Sequence, residues 1–346
     1  MNQSFERYGG ELPLGSDILL KHPATLNKST LLFSHGRAAI AWFLDTRGPF
    51  TTAFVCAYTC PSVPEFMKGK GVDVMFYDCG ESDFSILAQK AKGKVILLLP
   101  ALFGMAPWLN VSKLSDNLGD RFSIIIDAAQ SAFGHLDFAP PPNGAVLSCP
   151  RKTLSLADGA ALQISNIHPN DHKMVEALPI ADSASRLKER AREILALQDP
   201  EREAEALSIS AAAENSLPQY ACRISKLSKR RFLLIDKNKT NQRRINNATI
   251  LTAELSDLTL LLPSGPGVPF FWPFAIKNRH NLLDRLHRLR LFATPLWSNI
   301  PILSVAGKRR YPTAYRLSSE LVGLPVDQRY SDQDMYKIAS LVRSCL

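Results

Sequence analysis

The sequence predicts an α/β protein, with a large domain built on a mainly parallel sheet flanked by helices and a smaller C-terminal α+β domain. From residue 34 to residue 129, short and almost continuously apolar runs alternate with helix-like segments. Strands that are apolar on both faces are typical of covered parallel sheets, and their alternation with helices implies right-handed crossovers. Successive units of this kind favour an α/β architecture.

A change of character after Ala161 predicts how the chain is divided. Polar and charged helical segments follow it, and from about Asp236 strands and helices mix without regular alternation. A chain of 346 residues is also longer than one average domain. We therefore predict a large domain over residues 1–235 and a small domain over residues 236–346.

The predicted elements follow these runs in chain order, with Ser34 as the N-cap of the first helix. The sheet-forming part reads as helix SHGRAAIAWFLD, strand TAFVCAY, helix PSVPEFMKGKG, strand VDVMFYD, helix SDFSILAQKAKG, strand KVILLLP, helix NVSKLSDNLGD and strand FSIIIDAA. The later part reads as helix ASRLKERAREILALQDPEREAEALS with a break at Pro200, helix KTNQRRINNATILTAEL, strands LTLLLP and VPFFWPFAI, and helices RHNLLDRLHRLRL and SDQDMYKIASLVRSCL.

The formal charge of +9 attracts anions but does not by itself select one class of partner. The basic residues form short groups, RISKLSKRR, NQRR and GKRR, and no tail or stripe. Solvated surface charge ranks first as the explanation, a phosphorylated small molecule second and nucleic acid third. We therefore predict small-molecule substrates and no nucleic-acid partner.

Cysteine spacing and the chain's apolar runs indicate the compartment. The 6 cysteines form no paired Cys/His spacing, which predicts neither a zinc site nor a disulfide framework. The N-terminus lacks the pattern of a secretory leader, and the longest apolar run, VILLLPALFGM, is too short to span a membrane. These features predict a cytoplasmic protein with no metal site and no membrane contact.

Three residues are placed where a predicted parallel sheet would meet a ligand. Gly36 begins a helix whose free N–H groups attract anions, Asp127 ends a buried strand, and Lys152 follows the next short strand, GAVLS. Taken singly, each also fits a structural role, namely an ordinary capped helix, a satisfied buried aspartate and a surface lysine. The sequence has no GK[ST] of a P-loop, and the absence of GxGxxG after the first strand counts against a dinucleotide fold.

Taken together, these residues match the needs of one cofactor, pyridoxal phosphate. The cofactor requires an anion cradle for its phosphate, a carboxylate that keeps its pyridine nitrogen protonated, and a lysine for its aldehyde. Tyr58, at the end of the strand TAFVCAY, supplies a flat partner for the ring. The order of Gly36, Tyr58, Asp127 and Lys152 along the chain therefore predicts a pyridoxal phosphate site.

The same residues lie in segments that resemble a known family, the DegT/DnrJ/StrS group of fold-type-I, pyridoxal-phosphate-dependent sugar aminotransferases. The resemblance rests on SHGRAAI, CAYTCPSV, GVDVMFYD, LLLPALFG, IIIDAAQSAFG and LSCPRKTLSLADGAAL. NQRRINNATIL, PFAIKNRHNLLDRL and LVGLPVDQRYSDQDMYKIASLV are similar to segments of the family's C-terminal domain. The resemblance covers most of the chain and is clearest from residue 33 to residue 164. It implies a homodimer whose active site lies at the subunit interface.

The resemblance also implies a ping-pong transamination. An amino donor, typically glutamate, loads the cofactor, and a keto sugar carried on a nucleotide accepts the amine. Lys152 would bind the cofactor covalently and transfer the proton between substrate and cofactor carbons. Related sugar dehydratases carry histidine at this position, so the lysine favours transamination. The other implied contacts are Asp127 to the pyridine nitrogen, Gln130 near the phenolic oxygen, Gly36, Arg37 and Ser148 to the phosphate, and Tyr58 on the ring.

Departures from the family pattern leave the substrate open. Arg37 stands where the family more usually has threonine, and Ala160 replaces one glycine of the usual pair after the lysine. The usual Gly-x-Asn-x-Arg segment, which contacts the phosphate from the partner subunit, is not recognisable. The segment YACRISKLSKRR either serves instead, through Arg223, Ser225 or Ser228, or forms a basic surface helix. Two alternatives therefore remain: an aminotransferase for a non-sugar ketone or aldehyde, and a relative with altered or no catalysis that acts as a regulator or scaffold.

Overall fold

The computed structural model describes residues 7–131, 139–260, 266–301 and 303–346. Its strands are β1 (Tyr8–Gly9), β2 (Thr30–Phe33), β3 (Thr52–Cys56), β4 (Asp73–Tyr77), β5 (Val95–Pro100), β6 (Phe122–Ala128), β7 (Ala145–Ser148), β8 (Ala160–Ile164), β9 (Thr259–Leu260), β10 (Phe271–Ala275), β11 (Leu291–Phe292) and β12 (Leu321–Pro325). Its helices are α1 (Gly36–Arg47), α2 (Ser62–Gly69), α3 (Ser85–Lys90), α4 (Val111–Leu118), α5 (Pro150–Thr153), α6 (Asp171–Glu176), α7 (Asp182–Ala196), α8 (Glu203–Asn215), α9 (Lys226–Leu234), α10 (Lys237–Glu254), α11 (Arg279–Arg288), α12 (Val305–Arg310), α13 (Pro312–Glu320) and α14 (Asp332–Cys345).

A seven-stranded central sheet runs in the order β2-β8-β7-β6-β5-β3-β4. Strands β4, β3, β5, β6 and β7 are parallel, whereas β8 runs antiparallel to both of its neighbours, β7 and β2. The register pairs Asp127 of β6 with Pro100 of β5 on one side and with Leu147 of β7 on the other. The mainly parallel sheet predicted from the sequence is confirmed, and the carboxyl ends of its parallel strands lie on one edge.

Both faces of this sheet are covered, which explains the continuously apolar strands. Along β5, Ile96 and Leu98 pack into the core under α1, while Val95, Leu97 and Leu99 pack into the core under α4 and α13. Alternate residues of a strand point to opposite faces, so a strand between two helical layers needs apolar residues at every position. Each fully buried aliphatic side chain of this kind stabilises the fold by roughly 1.5–3 kcal/mol.

A second, antiparallel sheet of β9, β10 and β12 lies in the C-terminal part of the chain, where α10, α11 and α14 bury apolar residues of β10 and β12. Side-chain caps start two of these helices. Asp236 accepts the backbone N–H of Lys239 at 3.0 Å at the start of α10, and Ser331 and Asp334 form a reciprocal capping box at the start of α14. Such caps satisfy N–H groups that have no partner inside the helix.

Most of the predicted helices and strands are confirmed to within a few residues, but the start of the first helix differs. Ser34 is not the N-cap; α1 begins at Gly36, and His35 precedes it without a side-chain cap. Ser34 Oγ lies 2.8 Å from His35 Nδ1 instead. Of the predicted strand LTLLLP, β9 is described and residues 261–265 lie outside the described ranges. Among the helices described, none has both the length and the apolar character needed to cross a membrane.

Candidate active site

A cavity of about 170 Å³ opens at the carboxyl edge of the parallel strands, where open α/β sheets bind their ligands. We call it the lysine cavity. The structure brings five of the predicted site residues to its wall: Gly36, Arg37, Asp127, Gln130 and Lys152. The rest of the wall includes His35, Thr59, Cys60, Ser62, Pro100, Ala101, Leu102, Ala129, Leu147, Cys149, Arg151, Glu214 and Trp297.

Asp127 is the one partly exposed residue of β6, and it faces the lysine cavity. Its carboxylate accepts one hydrogen bond, from the backbone N–H of Ala129 at 3.1 Å. Burial raises the pKa of Asp127, while the positive charge of Lys152 and the Ala129 N–H act in the opposite direction. A carboxylate in such surroundings gains stability from any further donor or cation that approaches it.

Lys152 lies on α5, a single turn that starts with Pro150 directly after β7. Its side chain is exposed and lines the cavity. Within the described ranges its amine makes no hydrogen bond or ion pair, although its charge acts on Asp127. An amine without a fixed protein partner is available to a ligand.

Two buried arginines hold the turn that carries the lysine. Arg192 of α7 donates to the carbonyls of Arg151 and Leu154, both at 2.8 Å, and Arg244 of α10 donates to the carbonyl of Thr153 at 3.0 Å. Cations at the last carbonyls of a helical turn satisfy acceptors that have no partner within the turn. The lysine backbone is therefore fixed by two helices that are distant from it in sequence.

Gln130 presents an unused donor inside the cavity. Its Oε1 accepts the backbone N–H of Phe103 at 2.8 Å, which fixes the amide plane. Its Nε2 is buried and finds no acceptor in the part of the chain that the structure describes. Because buried amide donors are nearly always paired, this group indicates an acceptor supplied by a ligand.

The first turn of α1 forms another part of the wall. No side chain caps this helix start, Gly36 and Arg37 line the cavity, and the positive end of the helix dipole lies at this wall. A Cβ atom on Gly36 would lie 3.1 Å from Cys149 Sγ, so glycine allows this close approach. Burial, together with the charges of Arg151 and Arg37, lowers the pKa of His35 to about 3, so its imidazole is neutral at physiological pH.

An ion pair closes the wall beside the lysine. Arg151 Nη1 and Nη2 donate to the two carboxylate oxygens of Glu214 on α8 at 2.5 Å and 3.1 Å. Burial opposes ionisation of Glu214, but Arg151 and Lys188 outweigh it and lower the pKa to about 2. The pair is therefore ionised at neutral pH and joins the lysine turn to α8.

The structure does not bring Tyr58 or Ser148 to the cavity wall. Ser148 is buried at the end of β7, where it pairs with Ala161 in the sheet. The Tyr58 ring is fully buried in the core, and its hydroxyl donates to the carbonyl of Leu296. The ring packs edge-on against Trp297, with 5.2 Å between the ring centroids. Among the described residues, Trp297 is the one Phe, Tyr or Trp that lines the cavity.

The residues that sequence reasoning missed fall into two groups. Thr59 and Cys60 directly follow Tyr58, the residue predicted to stack on the cofactor ring. Both lie just after the carboxyl end of β3, and this position in the sequence could have indicated them. Glu214 and Trp297 come from distant segments, and no pattern in the sequence links either to the lysine turn.

Comparison with known proteins gives the fold. The sequence matches no protein-family model and no curated protein. An aminotransferase of the DegT/DnrJ/EryC1/StrS type from Brucella abortus superposes with a TM-score of 0.60 at 17% identity, over 91% of this chain and 85% of that chain. The pyridoxal-phosphate form of a proposed sugar aminotransferase from Streptococcus pneumoniae gives 0.65 at 14% identity, over 99% and 100%.

A third structure, the E. coli GDP-4-keto-6-deoxy-D-mannose-3-dehydratase with hydrated pyridoxal phosphate, gives 0.61 at 14% identity, over 90% and 87%. The protein has the fold of the pyridoxal-phosphate-dependent sugar aminotransferases. This confirms the predicted fold class and the fold-type-I architecture that the family resemblance implied. At these identities the likeness concerns the fold.

Proposed function

We propose that this protein is a pyridoxal-phosphate-dependent aminotransferase. It would move an amino group from an amino acid, of the glutamate type, to a keto sugar linked to a nucleotide. The observation that carries the proposal is the presence of Lys152, Asp127 and Gln130 on the wall of one cavity at the carboxyl edge of this fold. The alignment of the fold with sugar aminotransferases supports the choice of acceptor.

The polar groups of the cavity fit the cofactor. Gln130 has a buried amide donor for which the described residues supply no acceptor, and this donor suits the phenolic oxygen. Among the described residues, only the Ala129 N–H donates to the Asp127 carboxylate, which suits the protonated pyridine nitrogen. The uncapped N–H groups at Gly36 and the side chain of Arg37 suit the phosphate. Three polar groups of the cavity wall thus correspond to three polar groups of one molecule.

When bound, pyridoxal phosphate supplies an electron sink for the electrons of the substrate carbon. The chain's own residues would bind it and manage the proton. Asp127 holds the proton on the ring nitrogen, because its buried carboxylate is stabilised by that donor. Lys152 would hold the cofactor through Nζ, and the same nitrogen would carry the proton to and from the substrate carbon. Trp297, whose ring packs against Tyr58, lines the cavity and would cover the bound cofactor.

A homodimer with a shared active site and a cytoplasmic location belong to the same proposal. The structure excludes two of the residues considered for the missing Gly-x-Asn-x-Arg segment, because Ser228 is buried and Ser225 donates to Asp158 through both its backbone N–H and its hydroxyl. We propose that Arg223 of one subunit contacts the phosphate in the other. A reducing compartment suits the cysteines, all of which are free thiols.

The proposal is tested on purified protein incubated with pyridoxal phosphate. We expect a visible absorption band that shifts to shorter wavelength when an amino donor such as glutamate is added and returns with a keto acceptor. Lys152→Ala should lose the band and Lys229→Ala, at an exposed lysine paired with Glu176, should keep it. A protein that binds the cofactor but whose spectrum no amino donor changes would contradict the aminotransferase proposal and favour a non-catalytic relative.

A further inference from the structure

The loop between α5 and β8 carries a buried carboxylate that has no part in the chemistry proposed above. It belongs to Asp158, of which 2% is exposed. Burial raises the pKa of Asp158, while the hydroxyls of Ser228 and Ser225 and the Ser225 N–H act in the opposite direction. A carboxylate buried without a cation is costly to a fold, so its stability here depends on the hydrogen bonds that it accepts.

These hydrogen bonds hold the start of α9. Ser225 is the N-cap of this helix, and its hydroxyl accepts the backbone N–H of Ser228 at 3.2 Å. The same serine donates its backbone N–H to Asp158 Oδ2 and its hydroxyl to Asp158 Oδ1, both at 2.7 Å. Hydrogen bonds to an ionised acceptor are stronger than neutral ones. One carboxylate therefore fixes both the backbone and the side chain of the residue at which α9 starts.

Arg223 lies two residues before this cap. On its other side the chain is held by the Ser34 N–H, which donates to the carbonyl of Cys222 at 3.0 Å. The Arg223 guanidinium donates through Nε to the carbonyl of Leu178 at 2.9 Å, whereas its Nη1 lies 3.9 Å from Glu176. In the described part of the chain the two terminal nitrogens make no hydrogen bond. They are therefore available to an anion outside the subunit.

The residue after Asp158 links the same loop to the lysine cavity. Gly159 donates its N–H to the carbonyl of Ser34 at 2.6 Å, just before α1, and its carbonyl accepts the N–H of Arg151 in the lysine turn at 3.3 Å. Two adjacent residues thus contact the start of α1, the lysine turn and the start of α9. The cofactor-binding elements of a subunit and the segment that carries Arg223 are joined at this point.

We propose that Asp158 is a positioning residue that fixes Arg223 for the phosphate site of the partner subunit. The inference rests on the proposed function, in which Arg223 reaches across the dimer, and adds the residue on which that contact depends. Asp158 does not lie on the wall of the lysine cavity. Its loss should therefore weaken cofactor binding in the neighbouring site and not in its own.

Asp158→Ala removes both bonds to the cap of α9. We expect the homodimer of this variant to bind pyridoxal phosphate at least about tenfold more weakly in an equilibrium titration, because a hydrogen bond from a charged donor is lost. Asp334→Ala is the matched control. Asp334 accepts the N–H and the hydroxyl of Ser331, the cap of α14, at 2.8 Å and 2.7 Å, and lies away from the lysine cavity. If Asp158→Ala does not fold, Ser225→Ala, which removes the hydroxyl bond alone, takes its place.

Mixed dimers show which subunit's site depends on Asp158. Chains with Asp158→Ala and with Lys152→Ala carry different affinity tags, and the mixed dimer is purified through both. Its one site with a lysine belongs to the Asp158→Ala chain, but Arg223 reaches that site from a chain whose Asp158 is intact. We expect borohydride to fix the cofactor there with an affinity within about twofold of that of the natural protein. An affinity as low as that of the Asp158→Ala homodimer would show that Asp158 acts within its own subunit and would overturn the inference.

Failure of the proposed function gives a different pattern. The mixed dimer of Arg223→Ala and Lys152→Ala is the reference for a contact across the dimer. If mixing restores the affinity of Arg223→Ala but not that of Asp158→Ala, the contact stands and the inference about Asp158 falls. Unchanged affinity of the Arg223→Ala homodimer would overturn both. If the natural protein binds no cofactor, the aminotransferase proposal fails and the inference fails with it.

Discussion

Arg192 stabilises the lysine turn, and replacing it should destabilise the protein in a measurable way. Its guanidinium donates two hydrogen bonds of 2.8 Å to the carbonyls of Arg151 and Leu154. Hydrogen bonds from charged donors stabilise the fold by roughly 1.5–3 kcal/mol each. Removing a buried charge also removes its desolvation cost, which offsets part of the loss. We therefore expect Arg192→Met, which keeps the length of the side chain, to lower the free energy of unfolding by about 2–4 kcal/mol.

The assay is urea unfolding of the chain without cofactor, followed by fluorescence. Arg186→Met is the matched control, because Arg186 lies exposed on the same helix and should change stability by less than about 0.5 kcal/mol. Arg192→Lys should recover part of the loss. If Arg192→Met and Arg186→Met unfold at the same urea concentration, Arg192 does not stabilise the turn and this reasoning fails.

Three further predictions follow from the lysine cavity. The pKa of His35 is about 3 in the fold but near 6.5 in the unfolded chain, so between these values only the unfolded chain binds the proton. Within this pH range, protonation of the unfolded chain at His35 should lower the free energy of unfolding by about 1.4 kcal/mol for each unit by which the pH falls. His35→Gln should remove this pH dependence, which unfolding curves at pH 7 and pH 5 would show. Gly36→Ala places a methyl group 3.1 Å from Cys149 Sγ and should weaken cofactor binding in an equilibrium titration, whereas Gly69→Ala, in open space, should not. Trp297→Ala should weaken cofactor binding by up to about tenfold, whereas Trp297→Phe should keep most of the affinity because it keeps an aromatic ring. Equal affinities of the two variants would show that the Trp297 ring does not contact the cofactor.

Local sequence patterns were enough to locate Asp127 and Lys152. Asp127 lies near the carboxyl end of β6 and Lys152 follows β7, and parallel strands end on the same edge, so the two residues line one cavity without any long-range information. The start of α1 was predicted to within two residues, but its cap was not, because the Ser34 hydroxyl pairs with the His35 ring.

Tyr58 was predicted to stack on the cofactor ring, but it lies two residues beyond the end of β3, where strand periodicity no longer determines the direction of a side chain. It packs into the same core as Phe54, Cys56 and the adjacent Ala57. Arg192, Arg244 and Trp297 could not have been found from local patterns either. Their contacts with the site depend on how distant helices and loops pack, and no local pattern encodes that packing.

The central claim is that Lys152 is the residue that binds pyridoxal phosphate. The most direct measurement is borohydride reduction of the loaded protein, followed by proteolysis and mass spectrometry of the peptides. We predict that the cofactor is fixed to the peptide carrying Lys152 and that Asp127→Asn lowers the amount bound. Fixation on another lysine, or on none while the protein is folded, would contradict this account of the site.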